Sequence, residues 1–221
     1  MSKEQLFVEE VIKWSEINQR KFPWRKESCP PYQILVAEIL LQRTRTDTVV
    51  GFYKVFVERY PTVECLFDAT IEDLEDELAP LGFHRRRARD LSGMSRMLVN
   101  EFKSEIPSDP SDLEKLPGVG QYIAGMVACL AYGVDSVVVD SNIIRVLSRV
   151  FDLPPTRDPR KDKDFTELLQ DNFPRGRCRD FNLGLVDLGG LVCKPRNPNC
   201  CECPLSDICN FYMKRSEISL Q

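Results

Sequence analysis

Four cysteines, Cys193, Cys200, Cys203 and Cys209, follow the spacing C-x6-C-x2-C-x5-C within one 17-residue stretch. Thiolates gathered so closely along a chain can wrap a compact metal centre, and four of them match the corners of a 4Fe-4S cluster. The rival is a structural zinc ion, although zinc ribbons pair two C-x2-C knuckles and this stretch holds one. Cys201 adjoins a ligand position, but its use would break the spacing. Cys29, Cys65, Cys129 and Cys178 are scattered and read as ordinary core thiols.

The other candidates for chemistry are acids and a glycine turn. Glu38 is the one charge in the apolar run ILVAEILL, where burying a carboxyl is costly unless it has a task. Asp140 closes an apolar stretch and precedes SNIIRV, a position suited both to capping a helix and to presenting a carboxylate. The segment DLEKLPGVGQYIAGMVACLAYG, 112–133, reads as a short helix, a tight turn and a longer helix. Gly118, Val119 and Gly120 make that turn, and amides at the following helix start can seat a phosphate. A plain corner between two helices accounts for the turn equally well.

The elements that must position these groups are helical. Apolar residues recur at helical spacing over 4–19, 34–41, 46–60, 68–79, 85–104, 111–116, 121–132, 141–150, 163–171 and 178–191. Prolines at 23, 30 and 31 make an extended loop of 22–32. Alternation of period two is nearly absent, and SVVVD at 136–140 is too short to anchor a sheet. The expected fold class is all-α, with ten or more short helices.

With 43% apolar and 29% charged residues among 221, the chain is neither disordered nor fibrous. No apolar run nears the roughly 18 residues of a membrane span, so no membrane partner is expected. The start, MSKEQLFVEEVIKW, carries acids and is not read as a secretory signal. Nine cysteines without such a signal point to a reducing, cytoplasmic setting. A net charge of −4 argues against a nucleic-acid partner, but seven acids without a base at 63–79 bias that sum. Cations gather elsewhere: His84, Arg85, Arg86, Arg87 and Arg89 in one run, Arg175, Arg177 and Arg179 in another, Lys194 and Arg196 inside the cysteine stretch. DNA responds to the face that approaches it rather than to the total.

In order along the chain, the LPGVG turn, the apolar run into Asp140-Ser141-Asn142 and the C-x6-C-x2-C-x5-C stretch resemble the endonuclease III (HhH-GPD) superfamily of DNA glycosylases, from FPW at 22–24 to Cys209. The resemblance implies two helical lobes with the active site in the cleft between them. One is a helical barrel, 29–137, with a helix–hairpin–helix at 111–132; the other joins 1–28 to 138–221 and carries the 4Fe-4S cluster on loop 193–209. It implies a monomer acting on double-stranded DNA that contains a mismatch, with the target nucleotide flipped out. Asp140 falls at the superfamily's catalytic aspartate, stabilising positive charge on the sugar. Members that also cut the backbone carry a lysine where this chain has Tyr122, which cannot form a Schiff base; base release alone is expected. Glu38 matches a glutamate that protonates the leaving base in adenine-removing relatives. Gln42 and Arg43 are candidates to fill the gap left by the flipped base, with Arg85, Lys194 and Arg196 as further DNA contacts.

Two subfamilies share these residues: the MutY type, which removes adenine opposite oxidised guanine, and the Mig type, which removes thymine or uracil opposite guanine. The 12 residues after Cys209 leave no room for the MutY type's extra domain, LGFHRRRARDL at 81–91 lacks its paired tyrosines, and RGRCRDFNLGLVDLGGLVC at 175–193 with Arg43 is similar to the Mig type. Asp-Ser-Asn at 140–142 matches neither type's usual middle residue. Thymine or uracil is therefore the expected target, with adenine the alternative. A reading of another class is an iron–sulfur DNA-binding protein without catalysis, which would not need Glu38, Tyr122 and Asp140 together.

Overall fold

The computed structural model describes residues 1–154 and 163–218, in which twelve α-helices and no strand are found. The chain packs as two units, Met1–Arg20 with Val137–Gln221, and Lys21–Ser136.

In the Lys21–Ser136 unit, helix α2 (Pro31–Leu41) opens on a proline, whose fixed φ suits a first turn. Every residue from Ile34 to Leu40 is buried, so α2 is apolar all round and runs through the core. It packs on α3 (Thr46–Arg59) and on α8 (Gln121–Tyr132), itself buried from Ile123 to Leu130. Gly133, at φ 67°, stops α8, and the Val134 amide bonds back to the Ala128 carbonyl at 3.2 Å. Helices α4 (Val63–Phe67) and α5 (Ile71–Leu78) pack on α6 (His84–Phe102), each capped by a threonine hydroxyl, Thr62 and Thr70. The short α7 (Pro110–Leu113) begins at Asp109 and packs on α8. The periodicity over 68–79 thus covers α5 but hides α4, and Cys65 on α4 faces solvent rather than the core.

In the other unit, α1 (Lys3–Asn18) starts with a capping box between Ser2 and Gln5. It lies along α11 (Cys178–Leu191), which also packs on α9 (Ser141–Phe151). Glycine makes these approaches close: a Cβ on Gly184 would sit 2.9 Å from the Ser15 Cβ. Asp187, fully buried on α11, holds Arg20 by its backbone amide at 2.8 Å and its guanidinium at 2.6 Å. Lys3 Nζ donates to the Val150 carbonyl at 2.8 Å, closing the end of α9. Helix α10 (Lys163–Asp171) matches the expected 163–171, whereas α12 (Asn210–Ile218), packed on α9, lies beyond the expected helices.

Candidate functional site

The hairpin turn is built as its glycines require. Gly118 sits at φ 81°, and a Cβ there would lie 2.8 Å from the Asp90 Cβ of α6, so only glycine fits on both counts. Val119 points inward, 8% exposed, and its amide bonds to the Leu116 carbonyl at 3.0 Å. It anchors the turn rather than offering a side chain outward. Gly120 starts α8 without a side-chain cap, at the kind of helix start that can seat an anion.

Gln42 is drawn into this turn: its Nε2 donates to the Gly118 carbonyl at 2.7 Å. Arg43 next to it is exposed at φ 55°, with its guanidinium 5.7 Å from the centre of the Phe83 ring. Phe83 is also left-handed, φ 51°, and 59% exposed. A bulky residue in that region is strained, so the turn spends energy to hold an aromatic ring outward. Phe83 was not among the sequence candidates; the available signal was a lone large apolar residue between Gly82 and a basic run. That run does not act as one cationic face. Arg85 faces Glu75 at 3.8 Å, Arg86 faces Asp90 at 3.6 Å, and Arg87 is buried. Likewise Arg177 pairs with both Glu16 and Asp180.

Glu38 is 6% exposed on α2, and Tyr122 is half-buried in the first turn of α8, so both ride on a packed helix pair. Asp140 belongs to the other unit, where it caps α9. Its Oδ1 accepts from the amides of Asn142 at 2.9 Å and Ile143 at 2.8 Å. Its Oδ2 accepts from Asn142 Nδ2 at 2.8 Å. The chain of bonds continues, because Arg145 Nη2 donates to Asn142 Oδ1 at 2.8 Å and to the Gly189 carbonyl at 2.7 Å. Arg145 Nε reaches the Cys193 carbonyl at 2.7 Å. Asp140 is thus oriented from α11 and from the start of the cysteine loop. Gly189 is the tightest point: a Cβ there would meet the Asn142 Cβ at 2.7 Å. Gly189→Ala is expected to push Asn142 off Asp140, costing about 1–3 kcal/mol of stability and about tenfold in turnover. Thermal melting and single-turnover rates measured together check this.

Cys193, Cys200, Cys203 and Cys209 line one pocket, walled by Val146, Val150 and Leu188; Cys201 is not among its walls and meets the Tyr212 hydroxyl at 3.6 Å. Burial pushes the thiols of Cys200 and Cys209 up, and that of Cys203 up to about 11. Arg149 Nη1 donates to Cys193 Sγ at 3.3 Å and to the Lys194 carbonyl at 2.8 Å. Lys194 and Arg196 stand exposed on the loop between the first two cysteines. Among the described residues, no three histidine, cysteine or acidic groups converge tightly enough to hold a single ion.

Comparison with known proteins matches residues 36–174 to the HhH-GPD superfamily of base excision DNA repair proteins. The chain is 34% identical to a thymine/uracil-DNA glycosylase of Methanothermobacter thermautotrophicus, covering 97% of this chain and 96% of that one. It is 37% identical to a thymine/uracil-DNA glycosylase of Pyrobaculum aerophilum over 96% and 94% of the two chains. An adenine DNA glycosylase of Buchnera aphidicola is 30% identical, and there the chain spans 61% of its relative. Among solved structures, a thermostable thymine-DNA glycosylase superposes with a TM-score of 0.90 at 34% identity, covering 96% of this chain and 97% of that one. Endonuclease III in a non-covalent DNA complex gives 0.84 at 25%, covering 98% and 99%.

Proposed function

The chain belongs to the HhH-GPD superfamily of base excision DNA repair proteins, and from that premise we propose that it is a monofunctional DNA glycosylase releasing thymine or uracil mispaired with guanine. The observation that carries the reading is the joint presence of two carboxylates a hydrolytic glycosylase can use, Asp140 and Glu38, with Tyr122 where a strand-cutting member has lysine, together with end-to-end similarity to thymine/uracil-DNA glycosylases.

The hairpin amides and the cations of the cysteine loop grip phosphates without reading sequence. The target nucleotide leaves the stack, and Phe83, held outward beside Arg43, fills the space behind it by stacking. As the bond between base and sugar lengthens, the Asp140 carboxylate stabilises the positive charge on the sugar. Water then adds to the anomeric carbon, and Glu38 manages the proton exchanged between water and departing base. Tyr122 has no amine to trap the sugar, so the strand stays uncut at an abasic site. The pocket of Cys193, Cys200, Cys203 and Cys209 fits a 4Fe-4S cluster, which when bound supplies a redox-capable centre and pins the loop carrying Lys194 and Arg196.

Single-turnover base release from duplexes with G·T, G·U, A·8-oxoguanine and A·G, each with and without alkali, tests the reading. Release from G·T and G·U, visible as cleavage only after alkali, supports it. Activity confined to adenine strands replaces the substrate, and cutting without alkali removes the argument from Tyr122. Phe83→Ala is expected to slow release about tenfold, within the roughly 1–3 kcal/mol of one stacked aromatic, while leaving affinity for undamaged duplex within about twofold. A 2-aminopurine reporter beside the mismatch measures the flipping step directly.

A further inference from the structure

Arg87 lies in the basic run 84–89, yet it is 4% exposed and points into the protein. Its Nη1 donates to the Gly82 carbonyl at 2.6 Å, and its Nη2 to the Gln42 carbonyl at 2.8 Å and the Thr44 hydroxyl at 2.9 Å. All three hydrogen-bond acceptors are neutral; burial pulls the Arg87 pKa down, and the nearby Asp90 carboxylate opposes that shift without accepting a bond from it. The placement of the acceptors is specific. Gln42 and Thr44 bracket Arg43, and Gly82 immediately precedes Phe83, the two left-handed residues that project outward.

The same face of α6 carries the hairpin. Residues 87, 90 and 93 recur at helical spacing. Asp90 packs under Gly118, where a Cβ would be 2.8 Å away, and a Cβ on Gly93 would meet the Pro117 ring at 3.1 Å. Gln42, whose carbonyl Arg87 holds, donates in turn to the Gly118 carbonyl at 2.7 Å. One guanidinium, beside the Thr44 hydroxyl's own bond to the Leu81 carbonyl at 3.3 Å, therefore ties the 42–44 turn to the 81–83 turn, and through Gln42 both to the hairpin.

We propose that Arg87 is a positioning residue that locks the gap-filling pair Arg43 and Phe83 in register with the phosphate-gripping hairpin, making DNA binding selective for a distorted or flipped site. The inference rests on the DNA glycosylase reading. A guanidinium suits this task because its planar fork reaches acceptors on two turns at once, whereas a lysine offers one point charge.

The test uses Arg87→Lys, which keeps the charge and most of the stem, and Thr44→Val, which spares the arginine but removes one of its acceptors and that hydroxyl's own bond to the Leu81 carbonyl. Affinities for an undamaged duplex and for one with a tetrahydrofuran abasic-site analogue opposite guanine are measured with thermal melting and 2-aminopurine fluorescence. Arg87→Lys is expected to cut the preference for the analogue at least tenfold and to abolish the fluorescence rise, with undamaged-duplex affinity within twofold of the native protein. Thr44→Val should show the same pattern at about threefold. A purely structural role would instead lower melting temperature and both affinities together, and that result in both variants overturns the proposal. So does an Arg87→Lys protein that keeps its preference within twofold. A native protein without any preference for the analogue removes the glycosylase reading and this inference together, whereas native selectivity with unaffected variants removes only the latter.

Discussion

Asp140→Asn is expected to lower the single-turnover rate of base release by about 10²–10³-fold, the usual loss when one preorganised electrostatic contact is removed, with the fold and duplex affinity retained. On the proposed reading Asp140 has two tasks, and the asparagine separates them. The substituted side chain keeps an oxygen for the amides of Asn142 and Ile143, and asparagine caps helices about as well as aspartate. What changes is charge, and the contact with Asn142 Nδ2, where two amino groups would now face each other. That clash costs about 1 kcal/mol, a shift of roughly 2–4 °C in a domain of this size. Asp140→Ala removes the cap as well and should lose about 1 kcal/mol more. Rates from G·U duplexes beside melting curves decide the matter. Turnover falling only in proportion to stability would leave Asp140 a helix cap and no more.

The second large effect is expected from Cys203→Ala, which removes the pocket thiol that burial pushes up to about 11. On the proposed cluster reading, the purified variant should lack yellow-brown absorption at the violet edge of the visible, since one of the four thiolates that would hold the cluster is gone. Where metal binding is folding free energy, its loss costs on the order of several kcal/mol. Without the pinned loop, Lys194 and Arg196 lose their fixed placement. The slope of log affinity against log salt should then shrink by about 1–2, roughly 0.9 for each phosphate left without its cation. Cys201→Ala is the control: it neighbours Cys200 but lies outside the pocket walls, so colour, melting and salt slope should match the native protein. A Cys203→Ala protein with native colour would break the ligand assignment.

These two residues were legible because their signals are local. Four cysteines within 17 residues can share a pocket through one loop, and a carboxylate before SNIIRV caps the helix that follows whatever surrounds it. The glycine turn was equally legible, since φ 81° at Gly118 is a requirement of the turn itself. Helix periods were strong where one face is apolar, as in α9, and failed for the five-residue α4, too short to show a period.

The basic run 84–89 shows where local signals end. Its arginines are near-identical in propensity, and all read as solvent-facing cations. The structure turns Arg87 inward because carbonyls of the 42–44 and 81–83 turns converge on that face of α6. Phe83, with its outward ring, directly follows Gly82, one of those acceptors. Asp140 is likewise a cap by sequence, and its tie through Asn142 and Arg145 to Gly189 and Cys193 joins residues about fifty positions apart. By itself the sequence determined which chemistry is carried, the helical class and the turns, because residue type and short-range backbone geometry settle those within a few positions. Only the tertiary structure determined which charges face inward, which ring stands out and what orients the aspartate, because each depends on acceptors that distant segments bring to one place.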